Sequence, residues 1–233
     1  MAEEAQTTDL TEAASDELEA AGRELTPEEE ARLEQLRERR REALSQVRTF
    51  GDPVLKSKAS EVSDFGSHLD EEAERMFALM RDALGIGLAA TQLGVMRRML
   101  VFQAGPDAEP KAIVNPSLEW LSDDLVTAEE GCLSLPGVTV DVERPLYARV
   151  RAQGTSGEPL LIEASGLEAR VLQHEIDHLD GVLILDRTPR DQRRAAMRAL
   201  RNGETFSPEM LDPDAGGGAE GRAGAGDEAE QRG

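Results

Sequence analysis

The chain has 233 residues, enough for one catalytic domain with appendages and for a core that closes without disulfides. Apolar residues make up 39 % and aromatics only 3 %, so the core has to be built from Leu, Val, Ile, Ala and Met, and a single cysteine excludes an intramolecular disulfide framework. The formal charge of −21 says little about substrate, because residues 1–40 (thirteen acids, five bases) and 211–233 (six acids, two bases) carry more than half of it.

In chain order, residues 1–23 lack a sustained apolar period and read as a disordered acidic extension. The opening MAEEAQTTDL has neither a basic region followed by an apolar stretch nor an Arg-rich, acid-poor character, and no run approaches membrane-span length, so a cytoplasmic setting is expected. Residues 24–45 read as a helical arm. Thr26-Pro27-Glu28-Glu29 supplies an N-cap hydroxyl, a proline at the first helical position and a capping-box glutamate. The apolar stripe of this arm is thin (Leu33, Leu36, Leu44, Val47) and Arg40 interrupts it.

The character changes at the turn Phe50-Gly51-Asp52-Pro53. Residues 70–84 form an amphipathic helix with Met76, Phe77, Met80 and Leu84 inward. Short β-rich runs at 99–102, 112–114, 138–142, 146–150 and 160–162 follow, separated by Gly-, Pro- and Asp-containing turns. A second strong helix starts near Ser165, with Ser165 and Glu168 as a capping box and Gly181 at its C-terminal end. A last helix runs from Pro189 to about Asn202, and residues 206–233 read as a flexible Gly-rich acidic tail. The expected architecture is α+β: antiparallel or mixed sheets in a 46–205 domain, packed around the helix that begins at Ser165.

That central helix carries Gln173-His174-Glu175-Ile176-Asp177-His178. Four residues is about one helical turn, so His174 and His178 project from one face and can share an ion, while Glu175 stands beside them as a base that activates water. A bare match of this kind fits two unrelated helix histidines as well as a metal site. The 3.6-residue stripe Leu167, Val171, His174, Glu175, His178 puts these polar groups on an apolar face, where they need partners. A third histidine beyond Gly181 is excluded, because Ile184 occupies that position, and His68 lies in a polar loop. Cys132, in Glu130-Gly131-Cys132-Leu133-Ser134, is the strong remaining candidate. A lone cysteine is more often a small buried hydrophobe, but this one has turn-forming neighbours, and thiolate with imidazole suits Zn, Fe, Co or Ni.

Three motifs together resemble the peptide deformylase family: Gly85-Ile86-Gly87-Leu88-Ala89-Ala90-Thr91-Gln92, Glu130-Gly131-Cys132-Leu133-Ser134 and Gln173-His174-Glu175-Ile176-Asp177-His178. The resemblance covers about residues 46–188 and departs at Thr91, where many members have proline. It implies a metallohydrolase that removes the N-formyl group from the initiator methionine of newly synthesised proteins, during translation. It further implies one divalent metal, typically Fe(II) and replaceable by Zn, Ni or Co, held by Cys132, His174 and His178. Glu175 would be the general base, and Gln92 with the backbone N–H of Leu133 would face the oxyanion. Ile86 and Gly87 would receive the extended peptide, and Ile86, Leu133, Leu167 and Val171 would line the methionine pocket.

Two other readings fit the ligands alone: a peptidase or different amidase using the same set, and a non-catalytic module stabilised by the metal. The second lacks a fourth protein ligand in the sequence. Residues 187–201 carry six arginines (Arg187, Arg190, Arg193, Arg194, Arg198, Arg201), which read either as a solvated helix face or, by the resemblance, as a contact with ribosomal RNA near the exit tunnel. Neither DNA nor a membrane is an expected partner.

Overall fold

The computed structural model describes residues 26–211. The expected disorder of residues 1–23, and the tail beyond Leu211, lie outside them. Helix α1 (Pro27–Ser45) begins as the sequence predicts: the Thr26 side chain accepts from the Glu29 N–H, and the Glu29 carboxylate accepts from the Thr26 N–H at 2.9 Å. The arm docks at its C-terminal end only, where Ala43 and Val47 are buried; Leu36 stays exposed. Helix α2 (Ser67–Asp82) buries Leu69, Ala73, Met76, Phe77 and Met80, as its period demands. His68 sits in its first turn rather than in a loop, and it is solvent-exposed.

Seven strands follow: β1 (Gly87–Ala89), β2 (Met99–Phe102), β3 (Lys111–Leu121), β4 (Leu125–Gly131), β5 (Thr139–Pro145), β6 (Tyr147–Gln153) and β7 (Pro159–Ser165). Five of them form one sheet in the order β1-β2-β3-β6-β7, and β4 pairs with β5 alone. Every strand ladder is antiparallel, so the α+β expectation holds with its antiparallel variant. Helix α3 (Gly166–Leu179) leaves β7 directly, and α4 (Arg190–Asn202) is the last α-helix among the described residues.

Strand β2 explains why the site is so well buried. All four of its residues are buried, because Leu100 and Phe102 face the core layer of α3 while Met99 and Val101 face that of α2. β1 divides in the same way, with Ala89 toward α3 and Leu88 toward α2. A third apolar cluster joins β5 to α4 through Val140, Val142, Ile184, Ala196 and Ala199. Phe206 belongs to it: its N–H bonds Gly137 O and its carbonyl accepts from Thr139 N, both at 2.9 Å. The flexible tail expected from residue 206 therefore does not begin there, since this aromatic ring anchors residues 206–211 to the β4–β5 unit.

Strand β3 is longer than the sequence suggests. β3 continues past Asn115-Pro116, with register shifts between Val114 and Ser117 and between Leu118 and Trp120. Asn115 takes a left-handed φ of 52°, held by side-chain hydrogen bonds to Val62 N, Val62 O and Gln153. The second shift leaves Trp120, the chain's one tryptophan, about half exposed on the outer face of the sheet. At the start of α3, Ser165 makes no side-chain cap; Glu168 turns instead to Lys111 Nζ at 3.2 Å.

Candidate active site

Helix α3 is buried almost all round from Val171 to Leu179, so its polar groups are held by the protein rather than by solvent. His174, Glu175 and His178 come from this helix, and Cys132 comes from the turn after β4. Ligand atoms of Cys132, His174 and His178 all lie within 4.8 Å of one another, close enough together to hold one metal ion. Cys132 Sγ is 3.2 Å from His178 Nε2. Glu130 Oε2 accepts from His174 Nδ1 at 3.0 Å, which leaves His174 Nε2 for an ion. A soft thiolate with two imidazoles, one of them oriented by a carboxylate, fits a divalent transition metal well.

Glu175 is 4 % exposed, and its Oε2 finds no hydrogen-bond partner among the described residues. Burial pushes its carboxyl up to about 7, against the pull of the neighbouring His174 and Arg144 charges. Burial also drives His178 well below the ordinary imidazole range, with His174 adding to the effect, so His178 is a neutral donor. Glu130 is opposite in behaviour: burial raises it, but hydrogen bonds from His174 and Arg144 outweigh that and hold it ionised.

The glycine-rich motif has a structural reason that the sequence did not show. A Cβ on Gly87 would lie 2.3 Å from Oε1 and 2.8 Å from Cγ of Glu175, so the strand approaches this carboxylate as closely as only glycine allows. Gly85 is less constrained: a Cβ there would sit 3.0 Å from Leu133 Cδ1. Ile86 O accepts from Gln103 N on the β2 side, so antiparallel alternation turns the N–H and C=O of Gly87 to the other edge of β1, which no described strand occupies.

Gln92 follows in a buried single turn. Its Oε1 accepts from Ala89 N at 2.9 Å, which aims Nε2 at Ser134 Oγ (3.3 Å) and Cys132 Sγ (3.8 Å). The Leu133 N–H is engaged by no described residue. Ile86, Leu167 and Val171 pack in one apolar cluster on the α3 side, whereas Leu133 packs on the α2 side. Thr91, the departure from the motif, is fully buried and its hydroxyl donates to the carbonyl of His178 at 3.2 Å. It gives the His178 carbonyl, near the end of α3, a second donor beside the Gly181 N–H, a job proline cannot do.

Around Glu130 the structure gathers charges to which the motifs assign no role. Arg144 donates to both Glu130 oxygens (2.6 and 2.9 Å) and to Asp177 Oδ2 (2.8 Å). Arg170 reaches Glu130 Oε1 at 2.6 Å and the carbonyls of Val142 and Val126, and Arg187 closes on Asp177. One signal was available: Val140, Val142 and Arg144 alternate onto the same buried face of β5, and an arginine at an inward strand position needs a partner.

A family model described as polypeptide deformylase matches residues 44–194. The chain is 44 % identical over 167 residues to peptide deformylase 1 of Corynebacterium glutamicum, covering 71 % of this chain and 99 % of that protein. It is 43 % identical over 158 residues to the peptide deformylase of Parafrankia sp., covering 68 % and 86 %. Among solved structures, the Thermotoga maritima peptide deformylase matches with a TM-score of 0.59 at 43 % identity, covering 61 % of this chain and 96 % of that one. A Synechococcus elongatus peptide deformylase in complex with actinonin matches with a TM-score of 0.63 at 38 % identity, covering 69 % and 88 %.

Proposed function

The chain belongs to the polypeptide deformylase family, metallohydrolases that remove the N-formyl group from nascent peptides, and on that premise we propose how its residues divide the work. Cys132, His174 and His178 hold one divalent metal, with Fe(II) as the resident ion and Zn, Ni or Co as substitutes. Bound there, the ion supplies a Lewis acid that polarises the formyl carbonyl and acidifies water. Glu175 takes the proton of the attacking water on its carboxylate and passes it to the departing amine. Gln92 Nε2 and the Leu133 N–H donate to the oxygen of the tetrahedral adduct.

The peptide lies along the free edge of β1, where the N–H and C=O of Gly87 offer strand-like hydrogen bonds beside Ile86. Its methionine side chain enters the apolar surface of Ile86, Leu167 and Val171, which share one cluster, while Leu133, packed in the other, contributes through its N–H. The observation that carries this reading is the Cys132–His174–His178 group with the buried carboxylate of Glu175, its Oε2 unpartnered among the described residues, against Gly87. We take residues 46–205 as the catalytic domain and the cytoplasm as its setting; no helix among the described residues is long and apolar enough to cross a membrane.

Protein loaded anaerobically with Fe(II) is expected to release formate from a formyl-Met peptide and to leave internal peptide bonds intact. Chelation abolishes the release and Ni(II) restores it. Cleavage of internal bonds, or no formate with any reconstituted metal, overturns the reading.

The arginine face of α4 adds a location. Arg190, Arg194, Arg198 and Arg201 are exposed in an otherwise acidic chain, and they support docking on ribosomal RNA near the exit tunnel. Replacing these four with Gln is expected to weaken ribosome co-sedimentation and flatten its salt dependence. Unchanged binding removes this placement.

A further inference from the structure

The metal ligands are fixed in space by pairs between two motif carboxylates, Glu130 and Asp177, and arginines outside the three motifs, and one arginine connects them. Arg144, on β5, has a side chain only 4 % exposed. One side of its guanidinium fork grips both oxygens of Glu130, the carboxylate that accepts from His174 Nδ1. The other side binds Asp177, which sits on α3 between His174 and His178. Arg170 cannot replace it: it reaches Glu130 through a single contact and spends its other donors on the carbonyls of Val142 and Val126.

We propose that Arg144 is a positioning residue of the metal site, clamping Glu130 so that His174 keeps its proton on Nδ1 and presents Nε2 to the ion. The proposal rests on the assignment of His174 as a ligand. A buried carboxylate left without the fork loses the partner that fixes its plane, and with it the orientation of the imidazole. The pairing to Asp177 ties the same guanidinium to the ligand helix, so β5 and α3 cannot slide relative to one another without breaking it. The two-stranded β4–β5 ladder, marginal by itself, is held to α3 through this cluster.

The test uses the full chain and reads Co(II) rather than turnover. Co(II) dissociation constants, from competition with a chelator, and the visible Co(II) absorption band are measured for the unmodified protein, Arg144→Met, Arg144→Lys, Glu130→Gln and the double variant Glu130→Gln/Arg144→Met. Loss of the clamp is expected to weaken Co(II) binding by about 10–100-fold and to shift the band. Lysine, which keeps the charge without the fork, falls between. In the Glu130→Gln background Arg144→Met adds no more than about twofold, because the residue acts through that carboxylate.

Arg149→Met, at an exposed pair with Glu163, leaves Co(II) binding unchanged. If the unmodified protein fails to bind Co(II), the ligand assignment is at fault. If it binds and both Arg144 variants match it in affinity and spectrum, or if the Glu130 and Arg144 effects multiply, the positioning role is wrong. Should Arg144→Met not fold, the Arg144→Lys comparison decides by the same two readouts.

Discussion

Glu175→Gln protein, loaded with metal, is expected to deformylate formyl-Met peptides between about a hundredfold and ten-thousandfold more slowly than the unmodified protein, the usual worth of a positioned general base. Glutamine keeps the shape of the side chain and cannot take a proton, and none of the three ligands is altered. Metal content measured on the same sample should therefore be unchanged. Retained activity would remove Glu175 from the mechanism. The same substitution has an opposite effect on stability, with a definite pH window.

In metal-free protein the Glu175 carboxyl is neutral in folded and unfolded chains alike below its ordinary value of 4.5. Between 4.5 and about 7 only the unfolded chain ionises, so folded stability falls as pH rises through that range. At one pKa unit per 1.36 kcal/mol, the loss above pH 7 is roughly 3 kcal/mol. Urea unfolding of metal-free Glu175→Gln should show a gain of that order at pH 8 and almost none at pH 4.5. Equal gains at both pH values would mean that the carboxylate is not held in a desolvated site. The carboxyl is kept desolvated at the expense of the fold that carries it.

Gly87→Ala is expected to lower kcat by about a hundredfold, because the new methyl group meets both the Oε1 and the Cγ of Glu175 and no rotation of the carboxylate alone relieves it. A displacement near 1 Å of a catalytic group costs on that order. Metal affinity should be preserved, since Cys132, His174 and His178 are not touched. Gly85→Ala is the control: its methyl group presses only on the flexible end of Leu133 and touches the Gly87 and Met80 carbonyl oxygens at ordinary contact distance, and kcat should change by less than about threefold. Comparable losses at the two glycines would assign the effect to the strand's flexibility instead of to the contact with Glu175.

The helix of the metal site was legible because its signals are local. A His-Glu-x-x-His spacing on an apolar stripe, with Gly181 at a φ of 73° just beyond its end, is visible within a short stretch of chain. Cys132 was legible only as the strongest remaining candidate and through the family motif. What escaped was set by tertiary pairing. β4 carries Thr127, Glu129 and Glu130 and exposes most of its length, so no apolar alternation marks it. β1 has three residues, too few for any period.

In the sequence Asn115-Pro116 interrupts the apolar run at 112–114, whereas in the structure the bulges accommodate the pair and the strand runs on. The cap expected from Ser165 did not form, since Glu168 found Lys111, a residue on β3. Arg144 and Asp177 were passed over for a similar reason. Their partners are far apart in sequence, and the meaning of a buried charge lies in its partner.

Trp120 carries a practical consequence. The indole of the chain's one tryptophan is already in contact with water in the folded protein, on a bulged strand at the outer surface of the large sheet. Its fluorescence will change little when the core melts, and a flat emission trace would not mean that the protein is resistant to denaturant. Far-ultraviolet circular dichroism, which follows the helices and strands themselves, is the appropriate signal for the unfolding experiments. The quiet indole is better used in another way, as a reporter placed on that surface should anything come to cover it.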